Sequence, residues 1–363
     1  VICFGQGNTA HGTIDTTEVK SASSLRVMNG TVTAKGTETE PIIFKQDTND
    51  TDWGSIIFDT DIDEDTQQTC GGGIFEYCQF INGGEWTSSA EGILSIDGTS
   101  DQTDRSFKLK VSNCVFDASD VVSSRQDAGK ALVDGSAAIY CGAIDRNTDI
   151  EVTGSIFRGM GRALESVGTE YIYPENFSCL IEDNTFESNG YFNNTISEGM
   201  GYIEWSANAI VMNITFYNTT GNELDAPACW LRGGCATYEV EGNTFNGNSD
   251  ITGDNANRYA PLKINIGANV NADTTKTYAP NTCNYGSDVG KYAEIVRSTP
   301  KQPEYISGNT GYLGVIGGLA YRMHHVCIDY SRKVTIAPGA TCYMTDDITV
   351  ESTGKLIARG TSV

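Results

Sequence analysis

Residues 179–186 read Cys179-Leu180-Ile181-Glu182-Asp183-Asn184-Thr185-Phe186, and residues 238–245 read Tyr238-Glu239-Val240-Glu241-Gly242-Asn243-Thr244-Phe245. Four more octets follow the same plan: GIFEYCQF at 73–80, LKVSNCVF at 109–116, IEVTGSIF at 150–157 and AIVMNITF at 209–216. Their closing residues Phe80, Phe116, Phe157, Phe186, Phe216 and Phe245 recur at spacings of 36, 41, 29, 30 and 29. A fixed unit of this size marks stacked repeats, each burying its apolar face against the next.

Five positions before each Phe stands an apolar residue: Phe75, Val111, Val152, Ile181, Val211 or Val240. A strand has period two, so an odd offset would put the Phe on the opposite face from that residue unless the chain bends between them. The intervening pairs Ser112-Asn113, Thr153-Gly154, Glu182-Asp183 and Glu241-Gly242 are bend formers, and Asn82-Gly83-Gly84, Gly159-Met160-Gly161, Ser188-Asn189-Gly190 and Gly247-Asn248 supply a turn after the Phe. Short apolar strands lie between the octets: 53–58, 92–96, 138–141, 202–205, 228–231 and 261–266. Three strands joined by corners at a period of about 30 residues describe one coil of a parallel β-helix, with like residues stacked in ladders. Asn184 and Asn243 belong to one such ladder and the phenylalanines to another, which fills the core. The expected fold is therefore all-β, a single-stranded right-handed parallel β-helix of about nine coils with long loops. A propeller blade needs four antiparallel strands over about 40 regular residues, and a sandwich shows no repeat at all.

The octets resemble coils of the pectin-lyase-like superfamily of right-handed parallel β-helices, and the flanking motifs resemble a secreted, non-catalytic surface branch of it. The residues carrying this are Gly30-Thr31-Val32-Thr33-Ala34-Lys35-Gly36-Thr37, Pro41-Ile42-Ile43-Phe44, Trp53-Gly54, Val334-Thr335-Ile336-Ala337-Pro338-Gly339, and Val350 with Gly354 through Thr361. The resemblance implies fold and secretion and says little of activity. Residues 1–23 are an N-terminal segment read as an assembly or capping arm. The β-helix runs over 24–363, with a loop-rich stretch at 246–305 and an uncapped terminal coil at 326–363.

The chain has 363 residues, 24 Lys and Arg against 47 Asp and Glu, and a net charge of −23. That balance excludes nucleic acid and anionic membrane surfaces as partners, and no apolar run reaches membrane-spanning length, so no membrane insertion is expected. Eleven cysteines without a C-x-x-C pair, and sequons at Asn29, Asn49, Asn176, Asn193, Asn213 and Asn218, suggest an extracellular or cell-surface glycoprotein whose leader has been removed. The competing reading is that an Asn- and Thr-rich chain generates such triplets by composition. Cys78 and Cys114 share a place two before Phe in consecutive coils, which brings them into disulfide range or leaves a stacked pair of thiols. Cys229 and Cys235 are the close pair in sequence. Cys3 and Cys342 stand near the two ends, where they could join copies.

Asp59, Asp61, Asp63 and Asp65 alternate as in hard-cation loops and would either hold calcium or form a solvated acidic connection. No catalytic residue is assigned. His11, His324 and His325 lie outside the octets, and Arg158 and Arg162 read as surface ion-pair partners of Glu165 or Glu187. Trp205, Trp230, Tyr202 and Tyr140 form either a sugar-stacking platform or ordinary packing. The leading expectation is an extracellular structural or adhesive β-helix whose partners are copies of itself, since G-x-[VL]-x-A-[KR]-G-T occurs both at Gly30 and at Gly354. A filament of head-to-tail copies would bury open strand edges. The alternative is a carbohydrate-active β-helix, a polysaccharide lyase, glycoside hydrolase or binding module, with glycans as ligands.

Overall fold

The structure is a computed structural model that describes residues 2–4, 24–28, 30–46, 53–59, 70–84, 92–97, 106–119, 137–142, 147–160, 162–166, 178–187, 203–205, 209–212, 214–217, 229–231, 236–246, 262–284, 292–296, 310–323, 326–328, 332–345, 347–351, 353–358 and 360. Every strand pairing among them is parallel. Three long sheets hold eleven, eleven and nine strands, and a small sheet holds two. From Leu25 to Asn284 the chain visits the long sheets in strict rotation: Leu25–Val27 opens the first, Gly30–Lys35 the second, Ile42–Gln46 enters the third, and Ile56–Asp59 returns to the first. Each circuit is one rung, and rungs stack by sheet pairing. This arrangement is compatible with a β-helix.

The six octets lie in register. Phe44 pairs with Phe80, Phe80 with Phe116, Phe116 with Phe157, Phe157 with Phe186, Phe186 with Phe216 and Phe216 with Phe245. The rings of Phe44, Phe80, Phe116, Phe157 and Phe186 stack with centroids 4.6 to 5.0 Å apart and planes within 10°. That is the rung spacing itself, so side chains repeat as the backbone does. Burying each ring contributes about 2–3 kcal/mol against exposure.

The bend inferred within the octet is a single left-handed residue. Tyr77, Asn113 and Asp183 have φ of 50°, 53° and 54°, and Gly154 and Gly242 take the same place at 58° and 66°. Asn and Asp tolerate this region and Gly enters it without strain, which explains the residue choice there; Tyr77 is the exception.

The residue after each bend points inward and builds a polar ladder. Asn184 Oδ1 accepts the N–H of Ser155 at 2.9 Å, Ser155 Oγ that of Cys114 at 3.1 Å, and Cys114 Sγ that of Cys78 at 3.4 Å. Further along, Asn243 Oδ1 accepts the Ile214 N–H and Asn281 Oδ1 the Asn243 N–H, both at 3.0 Å. Corner amides cannot join a sheet, so the rung above satisfies them.

Ile2–Phe4, at the start of the segment 1–23, pairs with Ile42–Gln46 in the third sheet. The stretch 246–305 contains strands Leu262–Asn265, Asn269–Val270, Thr282–Asn284 and Tyr292–Val296, one or more in each long sheet. The third sheet ends at Thr282–Asn284, where Phe245 registers with Cys283, while the first two continue to Cys342–Met344 and Lys355–Ala358. Beyond that point tight turns at Gly317-Gly318 and Pro338-Gly339 follow the second-sheet strands, and Val326–Ile328 pairs with Ile348–Val350 between first- and second-sheet strands.

Candidate functional site

The first sheet carries a row of charged and aromatic residues at registered positions. Inward positions on it are core: Leu94, Ile139, Leu164, Cys229 and Leu262 along one line, Ile96, Cys141, Leu231 and Ile264 along the next, all buried. Period two turns the line between them to the outer face. By backbone register, the positions along that line are Arg26, Ile57, Ser95, Tyr140, Glu165, Glu204, Trp230, Lys263, Glu294, Arg322 and Tyr343. Lys263 Nζ lies 5.6 Å from the Trp230 ring centroid, a cation–π stack between adjacent rungs. Glu165 and Arg322 are buried, whereas Tyr140, Trp230 and Lys263 are half-buried and Tyr343 is exposed. Such a line can stack against apolar faces and form charge-assisted hydrogen bonds within one reach.

Trp205 registers with Leu231 and Trp230 with Glu204. The two tryptophans thus stand at positions of opposite parity and do not share the row; Tyr202 lies outside the described residues. The aromatic company of Trp230 on the outer line is instead Tyr140, three rungs away, and Tyr343. The row could have been found in the sequence from the polar residue centred in each apolar triplet, such as Tyr140, Glu204, Trp230 and Lys263. It was missed at Arg162–Ser166, where only Ala163 and Leu164 mark a strand.

Asp59 ends a first-sheet strand and its Oδ2 accepts from Arg26 Nε at 2.9 Å and Nη2 at 2.6 Å. Asp61, Asp63 and Asp65 lie outside the described residues, among which no group of three or more metal-ligating side chains gathers. All six sequon asparagines, Asn29, Asn49, Asn176, Asn193, Asn213 and Asn218, fall outside the described residues, as do His11, His324, His325 and Cys235. Arg158 Nε donates to Glu187 Oε2 at 2.7 Å, the surface pairing its sequence position suggests.

Cys78, Cys114 and Cys229 are buried free thiols and Cys342 a half-buried one; Cys3 registers through its backbone with Lys45. Burial pushes Cys141, Cys179 and Cys229 well up, so these thiols stay protonated. Cys283, where the phenylalanine ladder stops, is pushed up to about 12 by burial.

On the second sheet, Lys108 donates to Asp149 and Lys110 to Glu151, each at 2.8 Å. Lys276, in the turn at 271–281, bonds Glu239 and Glu241 and is raised by both, while its Nζ lies 5.1 Å from the Tyr278 ring centroid. These are ion-pair rungs on an outer face and hold the turn against the sheet. No family model matches the chain, and neither curated proteins nor solved structures yield a match.

Proposed function

We propose that this chain is an extracellular structural or adhesive protein, a right-handed parallel β-helix of the pectin-lyase-like kind that stacks end to end with copies of itself. The observation carrying the reading is where the exposed apolar side chains fall. Among the described residues, the exposed large ones are Leu25, Met28, Val315, Tyr343, Met344 and Val350, and all but Val315 lie on the outermost rungs. Apolar rung faces flanked by unpaired parallel strand edges suit a further rung of the same kind. The thiols that burial holds protonated, Cys141, Cys179 and Cys229, are compatible with an oxidising compartment because the thiolate is the reactive form. Glycosylation at the sequons and calcium at Asp61, Asp63 and Asp65 belong to the same proposal.

Electron microscopy with sedimentation velocity on the purified chain tests the assembly. Rods longer than one molecule, shortened by Met344→Lys, are the expected result; monodisperse single particles at high concentration would overturn it. Adding EDTA is expected to lower the melting temperature if calcium pins the acidic loop, and an unchanged melt with no bound calcium removes that part.

The outer row on the first sheet favours a second reading, carbohydrate binding, since rings and charges share one line there and Lys263 stacks on the Trp230 ring of the adjacent rung. Retention of the chain in native gels containing neutral or uronate polysaccharides, abolished by Trp230→Ala, supports it. Unchanged mobility in every such gel removes it.

A further inference from the structure

Cys78 and Cys114 hold consecutive places in the polar ladder, one residue before the registered pair Gln79 and Val115. Neighbouring parallel strands lie about 4.8 Å apart, inside the Cα range of bridged cysteines, about 4.4–6.8 Å. Both side chains are buried at 1% exposure. Each thiol is aimed by backbone carbonyls: Cys78 Sγ donates toward Ala34 O at 3.4 Å, and Cys114 Sγ toward Ser112 O at 3.3 Å and Phe75 O at 3.5 Å. Cys114 Sγ also accepts the Cys78 N–H at 3.4 Å.

We propose that Cys78 and Cys114 are an oxidisable pair that closes to a disulfide across two successive rungs on exposure to hydrogen peroxide. The pair is asymmetric, which assigns the roles. Its hydrogen bond to Cys114 lowers Cys78 despite burial, whereas the bond to Cys78, with burial, drives Cys114 far up. We assign Cys78 as the attacking sulfur, since the contact with Cys114 favours its ionised form, and Cys114 as the resolving thiol. The Cys78 sulfur attacks one peroxide oxygen; the O–O bond breaks, hydroxide leaves and takes a proton to become water, and Cys78 becomes a sulfenic acid. Cys114 sulfur then attacks Cys78 sulfur, the S–O bond breaks, and a second water leaves with the Cys114 proton. Two thiols and one peroxide become one disulfide and two waters.

Peroxide is small enough to reach a site that excludes bulky thiols, so the closed form resists glutathione. Closure removes the acceptor of the Cys78 N–H but ties together the rungs between which the sulfurs lie. Cys141 and Cys179 provide an internal control: they are buried with their protons held by burial, and neither lies in the corner ladder.

The test is peptide mapping without reductant of the full chain after hydrogen peroxide, with alkylation in denaturant. A linked Cys78–Cys114 peptide is expected, released by dithiothreitol, with Cys141, Cys179 and Cys229 recovered alkylated; a chain already linked as purified counts equally for the proposal. Cys114→Ser keeps an acceptor for the Cys78 N–H and is expected to leave Cys78 as a sulfenic acid that dimedone captures. Recovery of both cysteines alkylated after peroxide, or preferential linkage of another pair, overturns the proposal whatever the assembly state proves to be.

Discussion

The rungs from Phe44 to Phe245 and those beyond Leu262 share two walls and differ in the third. In the first region the third wall is a sheet whose inner line is phenylalanine, and its corner amides are met by the Cys114, Ser155, Asn184 and Asn243 side chains. In the second region Phe gives way to Cys283, the third sheet stops, and turns rich in glycine close each rung. The first and second sheets run through the change with unbroken register: the positions of Lys263, Glu294 and Arg322 pair across it, as do those of Val270, Leu313 and Ile336. Two walls thus suffice to propagate the stack, while the third depends on what fills the space beside it. Buried Tyr321 takes up part of that space beyond the ladder, its hydroxyl donating to Gly314 O at 2.8 Å.

The sharpest way to break this contrast is Phe157→Ala. Its ring is stacked on both Phe116 and Phe186, and its removal is expected to destabilise by about 3–5 kcal/mol. Because each rung touches only its neighbours, hydrogen exchange should show lost protection around residues 109–187 with 310–358 nearly unchanged. Uniform loss over the whole chain would show that the two regions are one cooperative unit.

Asn243→Ala comes next. Asn243 accepts the Ile214 N–H and donates to Val211 O and Asn281 Oδ1. Leaving those groups buried and unmet costs about 3 kcal/mol, read as a fall in the urea midpoint. A change near zero would mean that water replaces the ladder.

In the second region Gly318→Ala is the matching probe. Gly318 has φ of 78°, and a Cβ there would stand 1.8 Å from the Asn281 carbonyl oxygen. The substitution is expected to cost about 2 kcal/mol. Gly339→Ala, at φ 82° but with its nearest neighbour 3.5 Å away, should cost only about 1 kcal/mol. Equal losses would mean backbone strain alone, not the close approach, sets the turn.

Acid gives the smallest effect and falls on the first region. Lys108 and Ser178 hold the Asp149 carboxyl below its ordinary value. Its folded pKa is depressed, so its contribution is complete above the unfolded value, near about 4, and is lost as pH falls through the lower folded one. The melting temperature of Lys108→Met should drop less than that of the parent chain between pH 5 and pH 2.5. Because the pair is exposed, added salt is expected to shrink the difference further.

Much of the architecture was legible because it repeats. The octet, its odd offset and its bend formers place a corner at Ser112-Asn113, Thr153-Gly154, Glu182-Asp183 and Glu241-Gly242, and the structure puts a left-handed residue at the second position of each pair. The strands read between octets reappear as Ile56–Asp59, Gly92–Asp97, Ala137–Cys141, Ile203–Trp205, Cys229–Leu231 and Leu262–Asn265. The candidate site was far less legible. Tyr140, Trp230, Lys263 and Arg322 come from separate rungs with no common spacing, because the connections between strands differ in length.

What the amino-acid sequence determined alone is the local code: period-two apolar pairs, residues that tolerate positive φ at the corner, and a Phe at a constant offset. Those are short-range properties, written within eight residues and repeated, and they dictate strand, corner and core line. Tertiary structure decided which outward residues share a row, which thiols touch, and that the third sheet ends at Asn284. Each of these depends on register between strands about 20 to 40 residues apart, which is set by the stacking of whole rungs rather than by any residue's own neighbours.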